Sequence, residues 1–395
     1  MSSLSSVRRQ RSAMMLALTL IVLVAVGGLL YAGGKALARY RGAKNTTSIT
    51  TIPIPATPVG MLATVDVKNR LTSVAIMVEK PNGHGGGSVV NVPISADTSG
   101  VAGQRVTLSE AYVQGGPDGL AQALESILTV TIDQHAVLGP DQFTAVLAPL
   151  TKFNVNFPAK VATTDKTGTV TLYPKGPQTL TAKQMTIAMN ARVTGQPEAV
   201  RQPTILALWS AIAAANGQGR GIPTSVPPTS MNDVLVQLFS GQLLTRNIPV
   251  VAVPDTETTD KDVGLLDRAD AVFVLATIAP SNMSAANTGL TFRVEAPPGY
   301  DDKVKFVVES LLYLNANVQW VYANGPVHND TQVFLKDPAL STQVGGLLTI
   351  FGSTVTNDPT YRIEGIDVIV QLGTDFLTSS APTTLPATTT TPTTP

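Results

Sequence analysis

Residues 107–150 read TLSEAYVQGGPDGLAQALESILTVTIDQHAVLGPDQFTAVLAPL. Within this stretch Pro117-Asp118 predicts a helix start, because proline suits an early helical position and an acid there favours the positive end of the helix dipole. Leu120, Leu124, Ile127 and Leu128 follow at i, i+4, i+7 and i+8, so one face of that helix turns inward. Upstream, the apolar runs Met61–Val65, Val74–Val78 and Val89–Ile94 predict buried strands, with a glycine-rich hairpin at Pro81 to Gly87 joining the second to the third. Downstream, helices are predicted near Ala182–Ala191 and Glu198–Ala215, and Gly217 to Pro228 reads as loop. Residues 61–255 therefore form an α/β unit.

A second α/β unit is expected at residues 288–377. Leu290–Glu295, Val318–Tyr322, Gln332–Leu335 and Ile366–Leu372 predict strands. Asp301–Asn315 predicts a helix with Val304, Val307, Val308, Leu311 and Leu312 on one face. Asp337-Pro338 supplies a cap and a first-turn proline for a further helix to about Phe351. The order β-α-β-β-α-β is that of a ferredoxin-like split unit or a circular variant of it. Residues 256–287 read as a connecting segment.

The chain has 395 residues, and 27 Lys+Arg balance 27 Asp+Glu. Zero net charge argues against nucleic acid as a partner, since phosphate neutralisation needs a basic excess or a basic face. Charged residues make up 14%, against about 25% in an ordinary soluble domain, while hydrophobic residues reach 44% and supply ample core. Cysteine is absent, which excludes disulfides, cysteine-ligated zinc, iron–sulfur clusters and thiol nucleophiles. His84, His135 and His328 stand too far apart in sequence for a local metal motif.

Ala13 to Gly34 carries no charge and, at about 1.5 Å per residue, reaches roughly 33 Å, enough for a hydrocarbon core. It is too long for the apolar region of a cleaved signal peptide, so residues 13–34 are expected to be a transmembrane signal anchor. Arg8, Arg9 and Arg11 precede it and Lys35, Arg39, Arg41 and Lys44 follow, so charge leaves the side of the membrane open. Residues 35–60 read as a Thr/Pro-rich stalk, and residues 378–395 as a disordered Thr/Pro tail that cannot bury enough apolar surface to fold.

Two stretches resemble the LytR-CpsA-Psr family of bacterial cell-wall phosphotransferases. Thr107 to Leu150 resembles that family's A-Y-x-x-G-G-P segment, its amphipathic helix, its I-D-x-Y and its F-x-x-L turn. Leu180 to Leu208, LTAKQMTIAMNARVTGQPEAVRQPTILAL, is similar to its R-x-R … R-x-x-R-Q-Q segment. Leu290 to Leu377 looks like the LytR C-terminal domain. The resemblance implies a three-layer α-β-α domain at residues 61–255 behind a single anchor, and a small βαββαβ domain at 288–377. It also implies a cytoplasmic start at residues 1–12, a single pass of the cell membrane, and the bulk of the chain outside.

The family moves a glycopolymer from a polyprenyl-pyrophosphate donor onto peptidoglycan, so its site needs arginines for the diphosphate and carboxylates for Mg²⁺. On that pattern Arg192 and Arg201 stand at catalytic positions. Arg70, Arg105 and Gln202 join them as phosphate-binding residues, and Asp66 and Asp97 as ligands of a weakened Mg²⁺ site. Other positions depart from the family: Thr72 or Ser73 replaces a metal-binding Asp, Asn190 and Glu198 replace arginines, and Thr107 replaces a lysine. Glu198 would repel a phosphate if it faced the site, and losing one oxyanion-type donor commonly costs about a hundredfold or more in rate. These losses point to a degenerate member that binds polyprenyl-linked glycopolymer, wall polymer or an active paralogue. The competing expectation is an active, divergent phosphotransferase in which Arg105 and Asp97 substitute. A transcriptional role finds no support in the charge or motifs.

Plainer roles exist for the same residues: Asp66 as a turn cap, Arg70 on the surface, Arg192 capping a helix end. Gly115-Gly116-Pro117 reads as a structural turn, the Leu120–Leu128 stripe as core, His135 as a strand-edge residue, and Gly85-Gly86-Gly87 as a hairpin tip. The discriminating geometry is whether Arg70, Arg192 and Arg201 point into one cleft.

Overall fold

The computed structural model describes Tyr31, Lys35 and residues 51–150, 152–215, 228–254, 262–285, 288–351, 355–356 and 363–379. The predicted anchor apart from Tyr31, the stalk from 36 to 50, the loop at 217–227 and the tail beyond Ser379 lie outside the described residues. Among the described residues no helix is long and apolar enough to cross a membrane. The chain divides into two compact units, Met1–Thr51 and Ile52–Pro395. In the first, Lys35 Nζ lies 5.3 Å from the centre of the Tyr31 ring.

The second unit begins with β1 (Val59–Val65), β2 (Leu71–Glu79), β3 (Gly87–Val92), α1 (Leu108–Leu128), β4 (Gln134–Leu138) and α2 (Pro140–Leu147). Next come β5 (Phe153–Phe157), β6 (Val161–Asp165), β7 (Gly168–Tyr173) and β8 (Gly176–Leu180), with β6 pairing β7 inside the β5–β8 ribbon. Helices α3 (Ala182–Asn190), α4 (Glu198–Ala215) and α5 (Met231–Phe239) lead to β9 (Leu243–Asn247), β10 (Val250–Ala252), β11 (Gly264–Leu266) and α6 (Arg268–Ile278). The C-terminal part holds β12 (Thr291–Glu295), α7 (Asp301–Tyr313), β13 (Asn317–Tyr322) and β14 (Gln332–Leu335). It ends with α8 (Ser341–Phe351), β15 (Val355–Thr356), β16 (Val368–Gln371) and α9 (Thr374–Leu377).

The first sheet runs β4–β1–β2–β3–β9, antiparallel through β1, β2 and β3 and parallel at both edges. Alternate side chains enter two cores. Met61, Ala63, Val74 and Ile76 pack with α1 and α6, while Leu62, Ala75, Met77 and Val89 pack with α2 to α5. Helices on both faces explain why the strands are apolar without alternation. At the β2–β3 hairpin, Gly86 has φ +77° and lies so close to Gly241 and Gln242 that a Cβ would run into their backbone.

The second sheet runs β13–β12–β16–β14–β15, with β13 and β16 parallel to β12 and β14 antiparallel to β16. The expected elements occur in the expected order, with β15 added between α8 and the last strand, but the split arrangement does not, because β12 and β13 are direct neighbours. Residues 323–331 carry the chain from β13 past β12 and β16, where a two-residue turn would have laid β14 beside β13. The segment read as a connector contains α6, with Ala271 to Ala276 all buried. This helix packs on α1, α7 and β13, so one apolar core runs from the first sheet to the second.

The lead-in to β1 lies against this C-terminal part. Ile52 bridges Ile363, and Ile54 packs on the cluster of Ile363, Ile366 and Ile369. Thr57 N and Oγ1 each lie 2.9 Å from Ser281 Oγ. Val59 N donates to Asp133 Oδ2 at 2.8 Å.

Candidate functional site

The turn from β1 to β2 is built on Asp66. Its Oδ1 accepts the Lys68 and Arg70 amides at 2.8 and 3.0 Å, and its Oδ2 accepts Arg70 Nε at 2.8 Å and lies 2.7 Å from Nη2. Burial opposes ionisation of Asp66, but the bonds from the Arg70 backbone and side chain and from Lys68 outweigh it and hold its carboxyl below the ordinary value. From α1, Tyr112 Oη donates to Asn69 Oδ1 at 2.8 Å and pins the turn, where Asn69 has φ +57°. That α1 reaches back to Tyr112 follows from a capping box: Glu110 N donates to Thr107 Oγ1 at 3.1 Å, and Thr107 N to Glu110 Oε2 at 2.8 Å. Gly116, at φ +63° and ψ −153°, then kinks α1 just before Pro117.

Two arginines approach the same turn from the opposite layer. Arg192 follows the end of α3; its Nη2 donates to Leu71 O at 3.4 Å and lies 3.7 Å from Glu198 Oε2. Burial and then the charge of Arg201 lower the Arg192 pKa, against Glu198, which raises it. Arg201 stands in the first turn of α4. Its Nε and Nη2 donate to Glu198 Oε2 and Oε1 at 2.9 Å each, its Nη1 to Met189 O at 3.1 Å, and its Nη2 also to Thr72 O. Arg70, Arg192 and Arg201 all line one cleft of about 460 Å³, together with Lys68, Glu198 and Asp262. Glu198 thus faces the site, but as the buried partner of Arg201.

The other expected residues lie elsewhere. Asp97 and Arg105 form an ion pair of 2.8 Å in a separate hollow of about 390 Å³ that Arg268 also lines. Asp97 accepts further bonds from Ser99 Oγ, Gly100 N and Val106 N. Burial pushes its carboxyl up, but the Arg105 side chain and then the bonds from Ser99 and Val106 hold it low. Gln202 lines a third, apolar hollow of about 280 Å³ with Pro93, Pro203, Leu206, Pro249 and Val250. Its Nε2 is shielded from solvent and has no hydrogen-bond partner among the described residues. This apolar hollow shares Ser95 and Glu198 with the charged cleft, so the two adjoin.

Where the resemblance has a metal-binding Asp and an arginine, Thr72 Oγ1 lies 3.0 Å from Asn190 Oδ1 and 2.8 Å from Thr64 Oγ1. Ser73 Oγ accepts Trp209 Nε1 at 2.9 Å and is a core residue. Asp66 and Asp97 do not fit a shared Mg²⁺: each carboxylate is held by an arginine and by backbone amides, and among the described residues no three acids or histidines stand together as a metal site. His135 sits on the edge strand β4, 2.9 Å from Asp118.

Two charged residues of the cleft were missed in the sequence. Lys68 lies in the same TVDVKNR stretch as Asp66 and Arg70, and its exposure on the turn was the available signal. Asp262, whose Oδ2 accepts Glu198 N at 2.6 Å, carried no signal, since it lies in the segment read as a connector.

No family model matches the chain, and no curated protein matches it. Solved structures do resemble it. A LytR-Csp2A-Psr enzyme from Actinomyces oris is 17% identical with a TM-score of 0.40, covering 57% of this chain and 93% of that one. TagV of B. subtilis is 13% identical with a TM-score of 0.39, covering 55% and 94%. The LytR-CPS2A-psr family protein YwtF (TagT), solved with bound octaprenyl pyrophosphate lipid, is 16% identical with a TM-score of 0.37, covering 55% and 86%.

Proposed function

We propose that the chain is a membrane-anchored, LytR-CpsA-Psr-like protein of cell-envelope assembly whose cleft holds a polyprenyl-linked glycopolymer precursor without transferring it. The observation that carries this reading is the adjacency of two hollows through Ser95 and Glu198, one lined by Lys68, Arg70, Arg192 and Arg201, the other apolar. A lipid with a phosphorylated head needs that pairing: cations for the head and dry surface for the chain.

Two features support binding over transfer. Glu198 occupies the fork of Arg201, which removes one guanidinium from charge stabilisation in a transition state. Asp66 and Asp97 line different hollows or none and are committed to Arg70 and Arg105, which leaves Mg²⁺ without a ready carboxylate pair. The uncharged stretch at 13–34 supports a single-pass anchor in the cell membrane, with the rest of the chain outside beside peptidoglycan or an active paralogue.

The full chain, mixed with a polyprenyl pyrophosphate and Mg²⁺, is expected to bind the lipid and release no phosphate. Arg192→Ala is expected to weaken that binding about tenfold or more, as the loss of a charge-assisted phosphate contact. Turnover that vanishes in Arg192→Ala would overturn this reading in favour of an active, divergent phosphotransferase.

A further inference from the structure

Arg201 has little left to offer a ligand. Both oxygens of Glu198 take its N–H groups at 2.9 Å, Met189 O takes another, and Thr72 O the next. Arg201 and Glu198 are 8% and 6% exposed, so an incoming anion would have to displace a carboxylate that is already out of water. The fork that holds this carboxylate is also the geometry in which a guanidinium takes a phosphate. Glu198 therefore fills, from within the chain, a position that suits an anion.

The cations with donors to spare are the other three that line the cleft. Arg192 is partly exposed, and its Nη2 makes one long bond, to Leu71 O at 3.4 Å, and a loose ion pair with Glu198 Oε2 at 3.7 Å. Lys68 is exposed on the β1–β2 turn, and Arg70 directs Nε and Nη2 at Asp66. A phosphate on Arg192 is well placed, but a second one reaching towards Arg201 meets the Glu198 carboxylate, whose Oε2 is 3.7 Å from Arg192 Nη2. A second phosphate set beside that carboxylate would meet a like charge in a partly dry cleft, which opposes its entry.

Resting on the reading that the cleft takes a prenyl-linked head, we propose that Glu198 sets the charge admitted: one phosphate esterified to a prenyl chain, in preference to a diphosphate. The test is calorimetric titration of the full chain with farnesyl phosphate, farnesyl diphosphate, inorganic phosphate and inorganic diphosphate. Farnesyl phosphate is expected to bind about tenfold more tightly than the diphosphate, the scale of a like-charge penalty. In Glu198→Gln, which frees Arg201 at nearly constant shape, that preference is expected to disappear or reverse. The wild-type order needs no variant: a diphosphate bound as tightly as the monophosphate overturns the proposal, whatever Glu198→Gln does to folding. Farnesyl compounds that bind no better than the inorganic ions would instead overturn the lipid reading, and the order of the two inorganic ions would then decide charge selection by itself.

Discussion

Glu79 ends β2 with 6% of its surface exposed, and its Oε1 has no hydrogen-bond partner among the described residues. Burial, and then the charges of Asp133 and Asp233, push its carboxyl up to about 7. A carboxyl raised in the folded state stabilises the fold fully below its unfolded value and loses that contribution as pH climbs through the folded one. Stability should therefore fall between about pH 4.5 and 7, by roughly 3 kcal/mol, and Glu79→Gln should flatten that slope and be the more stable protein at pH 8. Urea denaturation of both proteins at pH 5 and pH 8 measures it; parallel slopes would rule it out. At this scale the sequence was uneven. Arg70, Arg192 and Arg201 could be picked out by resemblance, and they do share a cleft. Arg105 and Asp97 could not be separated from them, because which hollow a residue lines depends on side-chain direction, which spacing does not encode. The charge of Glu198 was visible, but its capture of Arg201 needed the first turn of α4 in three dimensions.

Helix α1 shows what an element owes to one backbone angle. Gly116, at φ +63° and ψ −153°, occupies a region that side chains avoid, whereas the adjacent Gly115 is exposed, with open space around its Cα. Gly116→Ala should cost about 2 kcal/mol, while Gly115→Ala should be neutral or gain about 0.5 kcal/mol. Thermal unfolding of the two variants compares them directly, and equal melting points would contradict the kink's role. Periodicity located the second half of α1 correctly because Leu120, Leu124 and Leu128 repeat on one face. The first half escaped it: the helix starts at Leu108, not at Pro117, behind a capping box at Thr107 and Glu110 that went unread, and the exposed Val113 and Gln114 break the apolar stripe. Strand register was out of reach for a similar reason, since strands buried on both faces lose the alternation that fixes it.

For the molecule as a whole, α6 is the joint between the two sheets. Its residues from Ala271 to Ala276 are buried on every side, so it presents no amphipathic stripe and reads in sequence as nothing in particular. Leu275 is fully buried in the shared core, and Leu275→Ala should cost about 3 kcal/mol. The chain has two tryptophans, Trp209 packed beneath the first sheet and Trp320 on the second. Trp209→Phe and Trp320→Phe each leave one of them as a fluorescence reporter. In both backgrounds Leu275→Ala should lower the unfolding midpoint by the same amount; a shift seen by one tryptophan alone would show that the sheets melt independently. The lead-in segment adds a mechanical consequence. Tension applied to the chain ahead of Ile52 meets the isoleucine cluster and the Ser281 hydroxyl first, so the C-terminal sheet takes the strain like a buckle and β1, with the arginines beyond it, stays slack.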